Sequence, residues 1–537
     1  MRLIKNTSSE KLRGGYYTPA SIALFLLKWG LNGKTDCDIL EPSCGDGIFL
    51  EQIHKQKMPY QSITAVEIDP EEARKADAIS LQNIDVKIMD FHQFCNTIST
   101  KYDLVIGNPP YIRYQYFDKR QQENAKKIYE RANLTYTKLS NAWVSFVVGA
   151  SLLLKEKSKI AFVLPAELLQ VSYAQELRKY LSVSFNKINI ISFKKLVFPE
   201  IQQEVVLLLC EKNNDVSHTI EHLEIDNLDG LSKLATNRLK AEGKKIDFIN
   251  NKWTYYFLEQ NEIDFLKEIY SNKYFSVIGD YANVEVGITT GANAYFTVPY
   301  STVKEYGLQK YAKPMVGRSV QVPSIRFTKE DWINNRDSRV KSHLLVFPPA
   351  AKLADNEGAL NYIKYGELLG INKGYKTGIR EDWFVIPSIK LSDALFIRRN
   401  NVYPKLILNE ASTYTTDTMH RVFINDIINK NAFIASYYNS VSFAFSEIVG
   451  RSYGGGVLEL MPSETESIFL PYKEDNQALM TEIDKMMRNK ADIDTILKMA
   501  NLIILHEHFG LSTKEINLAN TIWKKLSSRR LNRSFTL

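Results

Sequence analysis

Between residue 38 and about residue 210, short apolar runs alternate with stretches in which apolar residues recur at helical spacing. The runs are Asp38–Leu40, Ile63–Ile68, Val86–Met89, Leu104–Gly107, Ile160–Leu164, Ile188–Ser192 and Val205–Cys210. Strands punctuated by amphipathic helices build a doubly wound, mostly parallel sheet, so the first part of the chain is expected to be an α/β, Rossmann-like domain. After about Ile220 the alternation stops. The sequence there is rich in Tyr, Asn and Lys, with irregular apolar segments and turn signals such as Val286-Gly287 and Thr290-Gly291. Helical periodicity returns over Asn476 to Lys525. The expected organisation is an α/β domain over 1–244, a mixed α+β domain over 245–472 and a helical C-terminal segment over 473–537. No internal repeat or low-complexity tract interrupts it.

Length and composition agree with a folded, multidomain chain. At 537 residues it exceeds one ordinary core, and its 45% hydrophobic and 24% charged residues exclude large-scale disorder. A formal charge of +7 permits a polyanionic partner without requiring one. The charge is uneven. Lys524, Lys525, Arg529, Arg530 and Arg533 crowd the C-terminus, and Arg398 and Arg399 adjoin an aromatic-rich stretch. Cys37, Cys44, Cys95 and Cys210 show no paired CxxC spacing and no accompanying histidines, so neither a zinc site nor a disulfide framework is expected. No signal-type segment and no run of about 18 apolar residues occurs. The expected setting is the cytoplasm, with no membrane association and no metal.

The first chemical signal is Ile39-Leu40-Glu41-Pro42-Ser43-Cys44-Gly45-Asp46-Gly47-Ile48-Phe49, a strand running through a two-glycine turn into a helix. Such turns at the carboxyl edge of a parallel sheet bind nucleotide-like ligands, and the glycines let backbone approach the ligand. Neither GxGxxG nor GK[ST] is present. An acid at Glu41 repels phosphates but suits a ligand carrying an ammonium and a sulfonium, which points to S-adenosylmethionine. The segment Ile63 to Asp69 ends in a carboxylate placed for ribose hydroxyls. Val86-Lys87-Ile88-Met89-Asp90-Phe91 ends in an acid suited to an adenine amine, followed by an aromatic that can pack on the ring.

A fourth strand delivers Asp103-Leu104-Val105-Ile106-Gly107-Asn108-Pro109-Pro110-Tyr111. Two prolines remove two backbone donors and fix an extended turn, leaving a row of acceptors. Methylation of an exocyclic adenine N6 needs acceptors on the amine's two hydrogens, because the nitrogen lone pair is delocalised into the ring. The Asn108 side-chain oxygen and the Pro109 carbonyl can supply them, without a strong base or a metal. Tyr111 offers a π-face to a flipped base. Flipping costs a few kcal/mol and one stack returns roughly 1–3 kcal/mol, so a second face is expected, with Phe198 as its candidate.

In order and spacing these motifs resemble the gamma-class, TaqI-like adenine-N6 DNA methyltransferases of type II restriction–modification systems. The resemblance begins at Gly15-Tyr16-Tyr17-Thr18-Pro19, similar to the family's N-terminal motif, and covers roughly residues 14–210. It implies an S-adenosylmethionine site formed by Thr18, Glu41, Ser43, Gly45, Glu67, Ile68, Asp90, Phe91, Asn108 and Pro110. It also implies target-adenine contacts from Asn108, Pro109, Tyr111 and Phe198. Ser43, where the family often has a small apolar residue, and the Gly45-Asp46-Gly47 spacing depart from the pattern. Gly287-Ile288-Thr289-Thr290-Gly291-Ala292-Asn293, Tyr375-Lys376-Thr377 through Pro387, and Gly454-Gly455-Gly456-Val457 resemble target-recognition segments. Double-stranded DNA is the implied partner, and a separately encoded restriction endonuclease of the same specificity is a further candidate.

The same acceptor chemistry serves enzymes that methylate RNA bases or protein glutamine amides, so that alternative stays open. Cytosine C5 methylation needs a cysteine directly after a proline, and no such pair exists here. Cytosine N4 methylation shares the acceptor logic, but the resemblance implies Ser or Asp at position 108 for it. A noncatalytic specificity subunit predicts decay of the Asn108 to Tyr111 motif, which is intact, and no persuasive nuclease constellation is present.

Overall fold

The apolar runs of the first 260 residues become, among the described residues, one nine-stranded sheet ordered β3-β2-β1-β4-β5-β7-β6-β8-β9. The strands are β1 (Asp38–Glu41), β2 (Ser62–Glu67), β3 (Ile84–Ile88), β4 (Tyr102–Gly107), β5 (Leu154–Pro165), β6 (Lys187–Phe193), β7 (Val205–Lys212), β8 (Thr219–Ile225) and β9 (Lys244–Lys245). The computed structural model describes residues 17–532 apart from 113–115, 137–140, 196, 198–203, 214–215, 235–242, 247–251, 354–355 and 454. The chain divides into two compact units between Gln260 and Asn261.

In the first unit β3, β2, β1, β4 and β5 run parallel, and β7 enters antiparallel between β5 and β6. The chain steps outward from β1 to β3 and then returns past β1 to β4. That reversal opens the crevice between the carboxyl ends of β1 and β4. Both sheet faces are covered, which is why the strands read as continuous apolar runs. Helices α1 (Ala20–Leu31) and α2 (Ile48–Gln56) bury Ile22, Leu26, Phe49 and Ile53 with Ile39, Leu104 and Ile106 of the sheet. The alternate residues Leu40, Val66, Val105 and Phe162 are buried as well. Further helices are α3 (Pro70–Asp77), α4 (Phe91–Thr97), α5 (Lys119–Arg131), α6 (Ala142–Leu152) and α7 (Gln175–Ser184). Local chemistry starts several of them. Asp69 caps α3 with Pro70 in its first turn, and Asp118 and Gln121 form a capping box on α5.

At the opposite, amino edge Lys155 bridges Asp38 (2.8 Å) and Asp103 (2.7 Å), and the Asp38 N–H donates to Asp103 Oδ2 at 3.0 Å. This clamp fastens β1, β4 and β5 away from the crevice.

The second unit is built from short antiparallel strands. A four-stranded sheet orders Ala282–Val286, Met419–Ile424, Ala394–Ile397 and Leu406–Leu408. Two three-stranded sheets surround His343–Leu345 and Val457–Glu459. The helices Lys430–Tyr437 and Ser440–Val449 are almost wholly buried, and Thr513–Leu531 docks Trp523 edge-on against Phe443 at 5.3 Å. The basic clusters read from the sequence are largely committed here. Lys524 pairs with Asp494, Lys525 with Glu262, and Arg530 bidentately with buried Glu447 (2.6 and 3.0 Å). Arg398 and Arg399 share Glu459. Arg533 lies outside the described residues.

Candidate functional site

The turn after β1 is shaped by its glycines. Gly45 and Gly47 adopt φ of +54° and +92°, conformations that L side chains resist. A Cβ on Gly47 would stand 2.7 Å from Ile79 Cδ1, whereas one on Gly45 would meet nothing within 4 Å. The open side of the turn is therefore at Gly45. Glu67, ending β2, ties the turn down: its carboxylate accepts the Gly45 N–H and the Asp69 N–H, both at 2.9 Å.

Glu41 ends β1 and is 1% exposed. Its Oε2 is buried without a hydrogen-bond partner. Burial, followed by the nearby carboxylates of Glu67 and Asp46, pushes its pKa well above the ordinary carboxylate range. A buried acid held beside two others is a strong receptor for a cation that replaces its proton. Burial, with Glu72 next, also raises Asp46.

Asp90 caps α4, its Oδ2 accepting the Gln93 N–H at 2.9 Å and its Oδ1 meeting His92 Nδ1 at 3.1 Å. Phe91, expected to pack on a cofactor ring, is 2% exposed and stacks on Phe146 at 4.8 Å. Ile68, by contrast, is 55% exposed just beyond β2.

Strand β4 carries Asn108 to the crevice beside the β1 turn, and the Ser43 hydroxyl donates to the Asn108 carbonyl at 3.3 Å. The Asn108 amide NH2 donates to buried Thr18 Oγ1 at 3.2 Å, which fixes the orientation of the amide. Pro109 and Pro110 follow. Tyr111 packs against the core, its hydroxyl donating to the Val163 carbonyl of β5 at 3.2 Å. Thus Thr18, Glu41, Ser43, Gly45, Glu67 and Asn108 are gathered around the ends of β1, β2 and β4, with Asp90 just beyond β3. Gly15, Tyr16, Phe198 and Gly454, which the sequence also singled out, lie outside the described residues.

Asp46, His92 and Ser145 were not picked out from the sequence. Asp46 lies between the two turn glycines, and Ser145 is a polar residue inside the apolar helix Ala142–Leu152, a pattern that flags a buried hydrogen bond. Among the described residues no group of three or more His, Cys, Asp or Glu could hold a metal, and no helix is long and apolar enough to cross a membrane.

Two family models match the chain in sequence. The Eco57I restriction-modification methylase model matches residues 31–198, and that of the C-terminal domain of the type II methyltransferase M.Eco57I matches residues 250–505. The type II methyltransferase M.AccI of Acinetobacter calcoaceticus is 26% identical over 467 residues, 84% of this chain and 83% of that protein. A tRNA1(Val) (adenine(37)-N6)-methyltransferase of Haemophilus influenzae is 30% identical over 135 residues, 24% of this chain and 54% of that one. Among solved structures, the DrdV–DNA complex has a similar fold, with a TM-score of 0.50 at 12% identity, covering 89% of this chain and 58% of that chain.

Proposed function

We propose that this chain, a type II methyltransferase of the Eco57I family, methylates the N6 amine of a flipped-out adenine in double-stranded DNA, with S-adenosylmethionine as donor. The observation that carries this reading is the placement of Asn108-Pro109-Pro110-Tyr111 at the end of β4, directly beside the glycine turn of β1.

The residues present fit the cofactor. The partnerless buried oxygen of Glu41 is an acceptor that an ammonium satisfies, and the open side of Gly45 leaves room for the ligand against backbone. Ser43 lines the same turn. The Glu67 and Asp90 carboxylates keep acceptor capacity for ribose hydroxyls and for the adenine amine, and Ile68 offers apolar surface to the ring. S-adenosylmethionine, when bound, supplies an electrophilic methyl group. The chain's own part is positional. The Asn108 side-chain oxygen and the Pro109 carbonyl accept the two hydrogens of the target amine and localise its lone pair, and Thr18 holds Asn108 in that orientation. Tyr111, and Phe198 with it, stack on the extruded base.

An RNA-base reading draws on the tRNA adenine-N6 relative, but that likeness covers 24% of the chain. The M.AccI likeness extends over 84%, both units included, and favours DNA. The test is methyl transfer from labelled S-adenosylmethionine to duplex DNA, tRNA and glutamine-containing protein, followed by nucleoside analysis and single-molecule sequencing. N6-methyladenine in one fixed DNA motif is expected, and that DNA should resist a separately encoded endonuclease of the same specificity. N4-methylcytosine, or label found only in tRNA or protein, overturns the reading.

A further inference from the structure

Asp90 is held by more than its helix needs. One oxygen, Oδ2, already caps α4 through the Gln93 N–H. The direction of Oδ1 is set instead by His92. An ionised carboxylate only accepts, so the Nδ1–H of His92 donates to it at 3.1 Å. Burial would push Asp90 up, but the His92 ring and the N–H groups of Gln93 and His92 outweigh it and hold the carboxyl below its ordinary range. The other ring nitrogen, Nε2, lies 2.8 Å from Ser145 Oγ, which lies 2.9 Å from the Ala142 carbonyl. His92 is fully buried and Ser145 is 1% exposed. Phe146 and Phe117 close edge-on around the imidazole at 4.9 and 5.4 Å and restrain the plane of the ring, while the two polar contacts fix which nitrogen faces Asp90. The first residue of α6 closes the chain: the Ala142 N–H donates to the Ile112 carbonyl at 2.8 Å, directly after Tyr111.

Both ring nitrogens are thus engaged, one of them by the carboxylate oxygen that the helix cap leaves over, and breaking either contact leaves a buried polar atom without its partner. The Asp90 side chain retains 14% exposure at the carboxyl edge of the sheet. From this geometry we infer that His92 and Ser145 are positioning residues that aim the Asp90 carboxylate at the cofactor's adenine amine. They also tie that aim to α6, the helix that receives Ile112. The inference rests on the S-adenosylmethionine reading of the site.

The test uses the full chain and compares binding of S-adenosylhomocysteine with that of its 6-H purine analogue, which lacks only the amine. The wild type is expected to prefer the adenine form. His92→Gln, whose amide replaces Nε2 but not Nδ1, should lose about tenfold of that preference. The KM for S-adenosylmethionine should rise by a similar factor while kcat at saturation is retained. His92→Asn, whose amide stands in for Nδ1, should recover most of both, and Ser145→Ala should fall between. Equal losses in both His92 variants, or an adenine preference that survives His92→Gln, overturn the inference while leaving the methyltransferase reading intact. A wild type that binds neither ligand overturns that reading itself.

Discussion

Replacing Glu41 by Gln tests the cofactor assignment at its most strained point. The substitution keeps the shape of a side chain that is 1% exposed and removes only its ability to ionise. In the wild type, burial first, then Glu67 and Asp46, raise the Glu41 pKa. A raised folded-state pKa means that the corresponding stability is complete below the ordinary glutamate value and is lost as pH rises toward the folded value. Without ligand, Glu41→Gln should therefore match the wild type near about pH 4 and become the more stable protein as pH rises toward neutrality. Thermal denaturation across that range checks this. With ligand the order reverses. A charge-assisted hydrogen bond is worth about 1.5–3 kcal/mol, so the variant should bind S-adenosylmethionine about 10- to 150-fold more weakly. Calorimetry should show proton release on binding to the wild type, as an enthalpy that depends on the buffer, and none in the variant. S-adenosylhomocysteine keeps the ammonium and lacks the sulfonium, so it should lose the same factor. Unchanged affinity in Glu41→Gln would refute the reasoning, and a loss confined to S-adenosylmethionine would reassign Glu41 to the sulfonium.

Asn108→Ala should lower kcat by at least about a hundredfold while cofactor affinity in equilibrium binding stays near wild type, and normal turnover would sink the acceptor role. Gly287→Ala places a Cβ 1.9 Å from the Thr416 carbonyl oxygen and 2.4 Å from that of Met419. It should cost upward of about 3 kcal/mol in denaturant unfolding of the second unit. Arg530→Met strands buried Glu447 and should cost about 3–5 kcal/mol, most of it recovered by adding Glu447→Leu. A single variant no less stable than the double would show that the pair carries no such penalty.

The sequence was most readable where structure is local and repetitive. The apolar runs predict β1, β4, β6 and β7 to within two residues at either end, because strands buried on both faces cannot hide a polar interruption. Strand β5 begins at Leu154 rather than Ile160, since its first half, Leu154-Lys155-Glu156-Lys157-Ser158, has no apolar run and joins β4 through an irregular register. Strand β8, with Glu221, His222 and Glu224 along it, gave no signal for the same reason. In the second unit the strands are two to six residues long, and some pair across great sequence distances, as Ala282–Val286 does with Met419–Ile424, so a local window of sequence shows little of the pattern. Glu41, Glu67, Asp90 and Asn108 were legible because each ends a strand or follows one within two residues. The burial of Phe91 was not, since it depends on Phe146 from another helix. The partners of the Lys and Arg cluster near the C-terminus were not legible either, since the acids that hold Lys524, Lys525 and Arg530 are distant in sequence.

The adjacency of β1 and β4 has a metrical consequence. Hydrogen-bonded strands lie about 4.8 Å apart, and reacting atoms must come within about 3–3.5 Å. In the proposed reaction the donor turn leaves one strand and the acceptor turn leaves its neighbour, so the ladder from Ile39–Leu104 to Leu40–Val105 would act as a ruler for the transfer distance. Loops drift readily in length and composition, whereas the rungs of a sheet do not. The spacing that matters most is thus stored in backbone, the part of the molecule least exposed to substitution.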